Sequence, residues 1–307
     1  MSRNHNALVS ICVCTYRRPQ WLQHTLESLR KNISPLQPVE IIIVDNDTEC
    51  SAESVVSSFD FDGVTNVHYF HESNKNISIA RNRAIKESNG QWLALIDDDE
   101  FAHESWLSHL LKAAESHEAD VVFGPVLPVF SERPPSWIVE GRFFDRGRHT
   151  TGARVGWHDA RSGNALIRSG LLSRIECPFS ESFGLTGGED SVLFKRLQDL
   201  QTRMIWCDEA IVYEHVPPDR ANLKWLLTRS FRIGQIWARI ELDSFEGIRL
   251  AKAIEIGLIA GLRIATAIPL ALLTAPTSTS KCVTHLRTLA NRAGKLTALF
   301  GLRHNGY

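Results

Sequence analysis

The sequence predicts an α/β protein: a doubly wound, mostly parallel sheet followed by a C-terminal helical appendage. Three observations carry that prediction. Over the first ~125 residues, short apolar runs alternate with segments of helical spacing, the rhythm of successive βα units. The runs themselves lack helical periodicity and are short, as strands covered on both faces are. Finally, the run Trp92–Ile96 leads straight into three carboxylates, Asp97, Asp98 and Asp99. They fall at the C-terminal end of a strand, where open α/β sheets bind their ligands.

Taken in order, Leu8–Cys14 reads as the first strand and Gln20–Asn32 as a helix, with Leu22, Leu26 and Leu29 on one face and Pro19 placed to start it. Val39–Val44 is a second buried strand running into Asp45-Asn46-Asp47, and Val67–Phe70 a third. Ser78–Ser88 is a helix that Asn89-Gly90 should end in a left-handed turn. Trp92–Ile96 is the fourth strand. A helix carrying Trp106, Leu107, Leu110 and Leu111 follows it, then a fifth strand at Asp120–Gly124. After Pro125 the rhythm stops. Pro128–Thr151, with Pro134-Pro135 and several Gly and Arg, reads as a loop or lid. Strand character returns at Ser162–Arg168, a helix at Ser191–Leu200 and last short strands at Arg203–Trp206 and Ala210–Tyr213, ending at Glu214-His215.

From Ala221 onward the chain is helical. These boundaries give a main domain over 1–220, in two halves at 8–125 and 126–220, and a basic, apolar tail over 221–307. Ile256–Ala275 is a long apolar stretch interrupted by Arg263 and Pro269. It is long enough to span a bilayer, but a central Arg costs ~2.5–3.5 kcal/mol on insertion scales. Its flanks, Arg249, Lys252, Lys281 and Arg287, suit a segment lying in a membrane interface. A hairpin buried against the domain is the alternative.

Composition is that of a folded protein, with 43% hydrophobic and 22% charged residues in 307. The net charge of −1 hides an asymmetry: Arg220–Tyr307 holds 13 Lys/Arg against 4 Asp/Glu, leaving 21 against 31 elsewhere. An acidic body with a basic tail points to an anionic surface as partner. The apolarity of that tail argues against nucleic acid. Six cysteines without a CxxC pair suggest no disulfide framework, and Cys12 and Cys14 read as small core residues. The N-terminus has no apolar signal-like run, so a reduced, cytosolic setting is expected.

Three strand ends carry the chemistry: Thr15-Tyr16-Arg17-Arg18, Asp45-Asn46-Asp47 and Asp97-Asp98-Asp99. In a parallel sheet they share one edge and can converge on a ligand. A nucleotide suits them. A carboxylate can accept from a base N–H, an arginine can meet a phosphate, and crowded carboxylates can hold a hard divalent cation. Each loop alone is also what a plain acidic turn looks like. Gly187-Gly188-Glu189-Asp190 adds a carboxylate pair at a helix start, where a capping role is the simpler reading.

The sequence resembles the inverting glycosyltransferases of family 2, with the GT-A fold. The resembling segments are Val9–Pro19, Ile41–Asp47, Asn76–Asn82, Leu95–Asp99, Ser162–Arg168 and Gly187–Asp190, covering residues 8 to about 235 in the family's order. The overall look is that of bacterial exopolysaccharide enzymes of the succinoglycan kind. This likeness implies that 1–220 is a catalytic domain, with 8–125 its nucleotide-binding half and 126–220 its acceptor-binding half. The resemblance implies that Thr15, Tyr16 and Arg17 line a nucleotide pocket, with Asp47 nearby. Asp45 would bind the base, and Arg81 would approach the diphosphate or sugar. Asp97 and Asp99 match the family's Asp-x-Asp. Asp99 would be the direct metal ligand, Asp97 would lie nearer ribose and sugar, and Asp98 would sit between them.

Asp190 would be the catalytic base, with Glu189 beside it, and His215 matches a place where several members put a metal-binding histidine. A lone histidine is also a common structural hydrogen-bonder. The implied cofactor is Mn²⁺ or Mg²⁺, and the implied donor a nucleotide-diphosphate sugar, UDP-glucose by preference. The acceptor would be a glycan or lipid-linked saccharide at the inner face of the cell membrane. Two alternatives remain. A sugar-phosphate nucleotidylyltransferase would want a Gly-rich loop after strand one, and Thr15–Pro19 has no glycine. An inactive membrane scaffold would not need both acidic sets. Trp137 and Trp157 could stack on sugars or fill a core.

Overall fold

The computed structural model describes residues 8–34, 37–61, 66–245 and 247–304. The N-terminal residues 1–7, on which the absence of a signal-like run rests, lie outside them. The chain runs β1 (Val9–Thr15), α1 (Pro19–Arg30), β2 (Val39–Asp45), α2 (Glu53–Ser58), β3 (Asn66–His71), α3 (Ile77–Glu87), β4 (Trp92–Ile96), β5 (Glu100–Ala102) and α4 (Trp106–Ser116). It continues through β6 (Val121–Phe123), β7 (Val126–Phe130), α5 (Ser136–Glu140), β8 (Asn164–Arg168), α6 (Ser169–Leu172), α7 (Glu189–Asp199), β9 (Met204–Trp206) and β10 (Val212–Val216). Three long helices follow: α8 (Leu223–Asp243), α9 (Arg249–Thr274) and α10 (Thr279–Leu299).

The main sheet has the order β3-β2-β1-β4-β8-β6-β9. Its pairs are parallel except where β8 inserts antiparallel between β4 and β6. The chain winds outward from β1 to β3 and then returns to lay β4 on the other side of β1. The strand order therefore reverses between β1 and β4, and the crevice beyond their C-terminal ends is where such sheets bind ligands. Ile11, Val13, Ile41, Ile43 and Ala94 have no exposed surface and form the middle of the core. At ~25 cal/mol per Å² of apolar area removed from water, this core is the main force holding the strand ends in place.

Contacts divide the chain into two compact units that are discontinuous in sequence. One comprises Met1–Pro128, Arg146–Leu185 and Glu189–His215; the other comprises Val129–Asp145, Thr186–Gly188 and Val216–Tyr307. Within the second unit, Ile138, Phe143, Phe144, Val216, Leu226 and Val283 form one apolar cluster. Trp137 packs on that cluster, and Trp157 in the first unit is 6% exposed, so both tryptophans are core-filling residues. Pro128–Thr151 is only partly irregular, since it contains the end of β7 and all of α5.

Helix α9 runs continuously through Pro269 and buries a seam of Ile256, Ala260, Ala267 and Ala271. Leu250, Ile254, Leu258, Leu262, Leu272 and Leu273 lie exposed on its other side. The buried-hairpin expectation holds for one face only.

Two local expectations are corrected. Gly90 does not adopt a left-handed conformation, and α3 ends at Ser88 in extended backbone. The glycine is required by space, because a Cβ there would lie 2.6 Å from the Ser10 backbone nitrogen. His215 lies inside β10 rather than after it: the β5 pairing ends at Glu214, which faces Glu100, and the next N–H, that of His215, donates to the Asp99 carbonyl at 2.9 Å.

Candidate active site

The site is built from strand ends of the first unit. Thr15, the last residue of β1, donates from Oγ1 to Asp98 Oδ2 at 2.8 Å, and the Tyr16 N–H reaches the same oxygen at 3.4 Å. Arg18 precedes Pro19, which disfavours helical backbone there, and its carbonyl accepts from the Trp21 and Leu22 N–H groups at the start of α1. From that fixed position its Nη1 donates to Asp98 Oδ1 and Asp99 Oδ2, each at 3.0 Å. The acidic triplet is thus tied to the β1 loop by a hydroxyl, a backbone amide and a guanidinium.

Asn46 pins the next loop. Its Nδ2 donates to the carbonyls of Glu72 and Asn74, and its Oδ1 accepts from the Asn76 N–H. Asn76 in turn caps α3 by accepting from the Ser78 and Ile79 N–H groups, which sets the direction of that helix. Arg81, one turn in, bridges two distant segments. It donates to Asp97 Oδ1 at 2.8 Å and, from its other terminal nitrogen, to Glu189. Asp97 keeps 41% of its side chain exposed, whereas Arg81 and Glu189 are nearly buried at 11% and 8%. One side chain therefore joins the acidic strand end to the Glu189-Asp190 pair.

Glu189 and Asp190 lie in the first turn of α7, two residues earlier than expected. Gly187 and Gly188 both have φ near +90°, and a Cβ on Gly188 would run into Ile236. The turn into α7 thus demands glycine for backbone reasons as well as space. Asp190 is partly exposed, and its Oδ1 accepts from the Ser191 N–H at 2.6 Å.

Electrostatically the triplet is under-compensated. Burial, and then the Asp98 charge, pushes the Asp99 carboxyl up to about 7, although Arg18 pulls the other way. Burial likewise raises Glu189 to about 7 against the pull of Arg81. Glu100 is raised well above the usual range by burial and by Asp97; its Oε2 accepts from the Asp97 N–H at 2.9 Å. Arg146 adds a third cation, bonded to Glu214 at 2.5 Å. Glu100, Arg146 and Glu214 were not singled out from the sequence. Glu100 directly follows the triplet and was findable, whereas Arg146 sits in a segment with no local pattern.

The expected base contact, Asp45, is placed differently from the rest. It has no exposed surface, and its oxygens accept from the Asp47 N–H at 3.0 Å, the Ala52 N–H at 2.7 Å and the Tyr69 hydroxyl at 3.1 Å. Arg17, in the left-handed region at φ 54°, donates to Asp47 at 3.0 Å. Tyr16 lies between two cations, the Lys75 ammonium 4.5 Å and the Arg17 guanidinium 5.3 Å from its ring centre. The His215 ring is committed elsewhere: its Nε2 pairs with His24 Nδ1 at 2.8 Å beside Trp21 and Phe101. Burial and His24 lower its basicity. It meets Asp99 through its backbone N–H, at 2.9 Å.

Among the described residues, no group of three or more His, Cys, Asp and Glu side chains is gathered around one point. The expected Asp97, Asp99 and His215 set is therefore not a preassembled cage. The residues do fit a hard cation shared with a ligand. Such ions are commonly held by one or two carboxylates plus substrate phosphates, and a carboxyl raised to about 7 is one that a dication would return to its ionised form.

Comparison with known proteins defines the class. Residues 10–175 match the model of glycosyl transferase family 2. The chain belongs to that family, and it is a transferase. It is 36% identical over 252 residues to the succinoglycan biosynthesis protein ExoM of Rhizobium meliloti, covering 81% of this chain and 80% of the relative.

Solved structures share the fold, among them two that align over most of both chains. The mannosyltransferase PcManGT of Pyrobaculum calidifontis, in complex with GDP-Man and Mn²⁺, aligns with TM-score 0.60 and 16% identity over 94% of this chain and 88% of that one. Staphylococcus aureus TarS in complex with UDP aligns with TM-score 0.54 and 18% identity over 92% and 90%. The architecture is GT-A, as the sequence implied.

Proposed function

We propose that this glycosyltransferase moves a hexose, with inversion, from a nucleotide-diphosphate sugar to a hydroxyl of a lipid-linked or growing polysaccharide. The observation that carries this reading is the Arg81 bridge, which pairs with both Asp97 and Glu189 and so supports a site shared by donor-type and base-type carboxylates. UDP-glucose is the donor we favour, on the likeness to a succinoglycan biosynthesis protein. Thr15, Tyr16, Arg17, Asp47 and Asp98 would line the nucleotide side, with Asp45 holding the loop beneath. Asp99, helped by Asp97, would hold a Mn²⁺ or Mg²⁺ ion that offsets charge on the leaving diphosphate.

In the transfer step the acceptor hydroxyl gives its proton to the Asp190 carboxylate as its oxygen attacks the anomeric carbon. The bond from that carbon to the diphosphate breaks, and the nucleoside diphosphate leaves with the bonding pair. Attack from the face opposite the leaving group inverts the centre. Arg81 stabilises charge on the sugar-diphosphate side while keeping Glu189 in place, and Glu189 supports Asp190 from the same helical turn.

The exposed apolar face of α9, 26 residues long with mean hydropathy 2.0 over its most apolar window, suits the interface of the cytoplasmic leaflet, where the acceptor would be presented. One assay tests both parts. With a bacterial membrane fraction as acceptor, nucleotide release should occur with one sugar donor, stop with EDTA and return with Mn²⁺. The protein should also sediment with the membranes. EDTA-insensitive transfer would overturn the metal assignment, and protein remaining wholly in the supernatant would overturn the surface assignment.

A further inference from the structure

Of the four arginines described in and beside the site, three have clear structural ties. Arg81 is nearly buried between two carboxylates, Arg146 is held by Glu214, and Arg17 serves the neighbouring loop through Asp47. Arg18 differs. A single nitrogen, Nη1, lies 3.0 Å from both Asp98 Oδ1 and Asp99 Oδ2, while the side chain keeps 40% of its surface exposed. It therefore reaches from the solvent side into the gap between the two carboxylates, as a small cation would.

We propose that Arg18 is a built-in countercation of the acidic strand end, and that it makes divalent-cation binding there conditional on the donor's diphosphate. The inference rests on the metal reading above. Three features support it. Asp98 is anchored through its other oxygen by Thr15 and Tyr16, so it stays with the protein and not with an incoming ion. Asp99 is the ligand that the metal reading assigns, and a dication binding it must share or displace the guanidinium that lies 3.0 Å from its Oδ2. A guanidinium turned away without a partner loses two charge-assisted hydrogen bonds, whereas one that moves onto a diphosphate exchanges them for equivalent ones. Free cation thus competes with Arg18, and cation arriving with diphosphate does not. Arg18 is a positioning residue in this account, acting on the metal through Asp99.

Direct measurement of Mn²⁺ binding, by the electron paramagnetic resonance signal of the free ion, reads this without any turnover. In the full chain, Mn²⁺ alone should bind weakly and the nucleoside diphosphate selected by the donor assay should tighten it about tenfold or more, an ordinary coupling for linked sites. In Arg18→Met, Mn²⁺ alone should bind about tenfold tighter than in the unmodified protein, and the further tightening by added nucleotide should be correspondingly smaller, because only the phosphate ligation of the ion remains. A merely structural arginine would give the opposite sign. Unchanged or weaker Mn²⁺ affinity in folded Arg18→Met overturns the inference. Should that variant not fold, Arg18→Gln, which removes the charge but keeps a polar side chain, must shift in the same direction or the inference falls. Mn²⁺ binding by neither protein, with or without nucleotide, overturns the metal reading itself.

Discussion

Two neighbouring strand ends carry the same acid–x–acid signature and do different work. At the end of β2, Asp45 is buried and saturated by two backbone N–H groups and a tyrosine hydroxyl, all from nearby loops and β3. Asp47 beside it feels burial pushing its carboxyl up, but the Arg17 hydrogen bond prevails and holds it below the usual range. At the end of β4, burial and mutual repulsion prevail over Arg18, and Asp99 is left raised to about 7. One end is electrostatically finished, while the other is short of positive charge. Perturbed carboxyls tend to gather where a ligand completes a site, so the contrast supports the proposal in which the β2 end is scaffold and the β4 end binds the donor.

The contrast can be broken by matched substitutions. The largest effect is expected from Asp99→Asn. It should lower transfer by about 10²- to 10³-fold, the scale of removing one charge-stabilising group, while leaving the melting temperature equal or slightly higher because repulsion is relieved. Asp45→Asn should do the reverse. It should cost about 1–3 kcal/mol of stability, because buried N–H and O–H donors lose a charged acceptor, and lower transfer per folded molecule only a few-fold. Denaturant titration and nucleotide-release rates on both variants decide the matter. A fully stable Asp45→Asn with collapsed donor affinity would return Asp45 to the base-contact role that family resemblance implies.

The elements that could be read from sequence are those whose burial is two-sided. Trp92–Ile96 was delimited to the residue because both faces are covered and the Asp triplet abruptly ends the apolar run. Gly90 was misread, since a turn signal and a close-packing signal look alike in sequence, and the Ser10 backbone that demands the glycine is 80 positions away. The insertion of β8 antiparallel between β4 and β6 was likewise invisible, because an apolar run does not encode strand direction. In the site, residues were recognisable one at a time but their links were not. Arg81 meets Glu189 across 108 positions, and His215 turns to His24 across 191, distances at which no spacing rule operates. Family resemblance supplied candidate roles there. Side-chain partners then separated Asp45 from Asp99.

The central claim is that one site both holds the donor and removes the acceptor proton, with the second task resting on Asp190. Asp190→Asn tests it most directly, with donor affinity by calorimetry and transfer by nucleotide release measured on the same preparation. Donor affinity should stay within about threefold of the parent while transfer falls by about 10³-fold, the middle of the range for loss of a general base. An Asp190→Asn protein that still transfers at the parental rate would contradict the account.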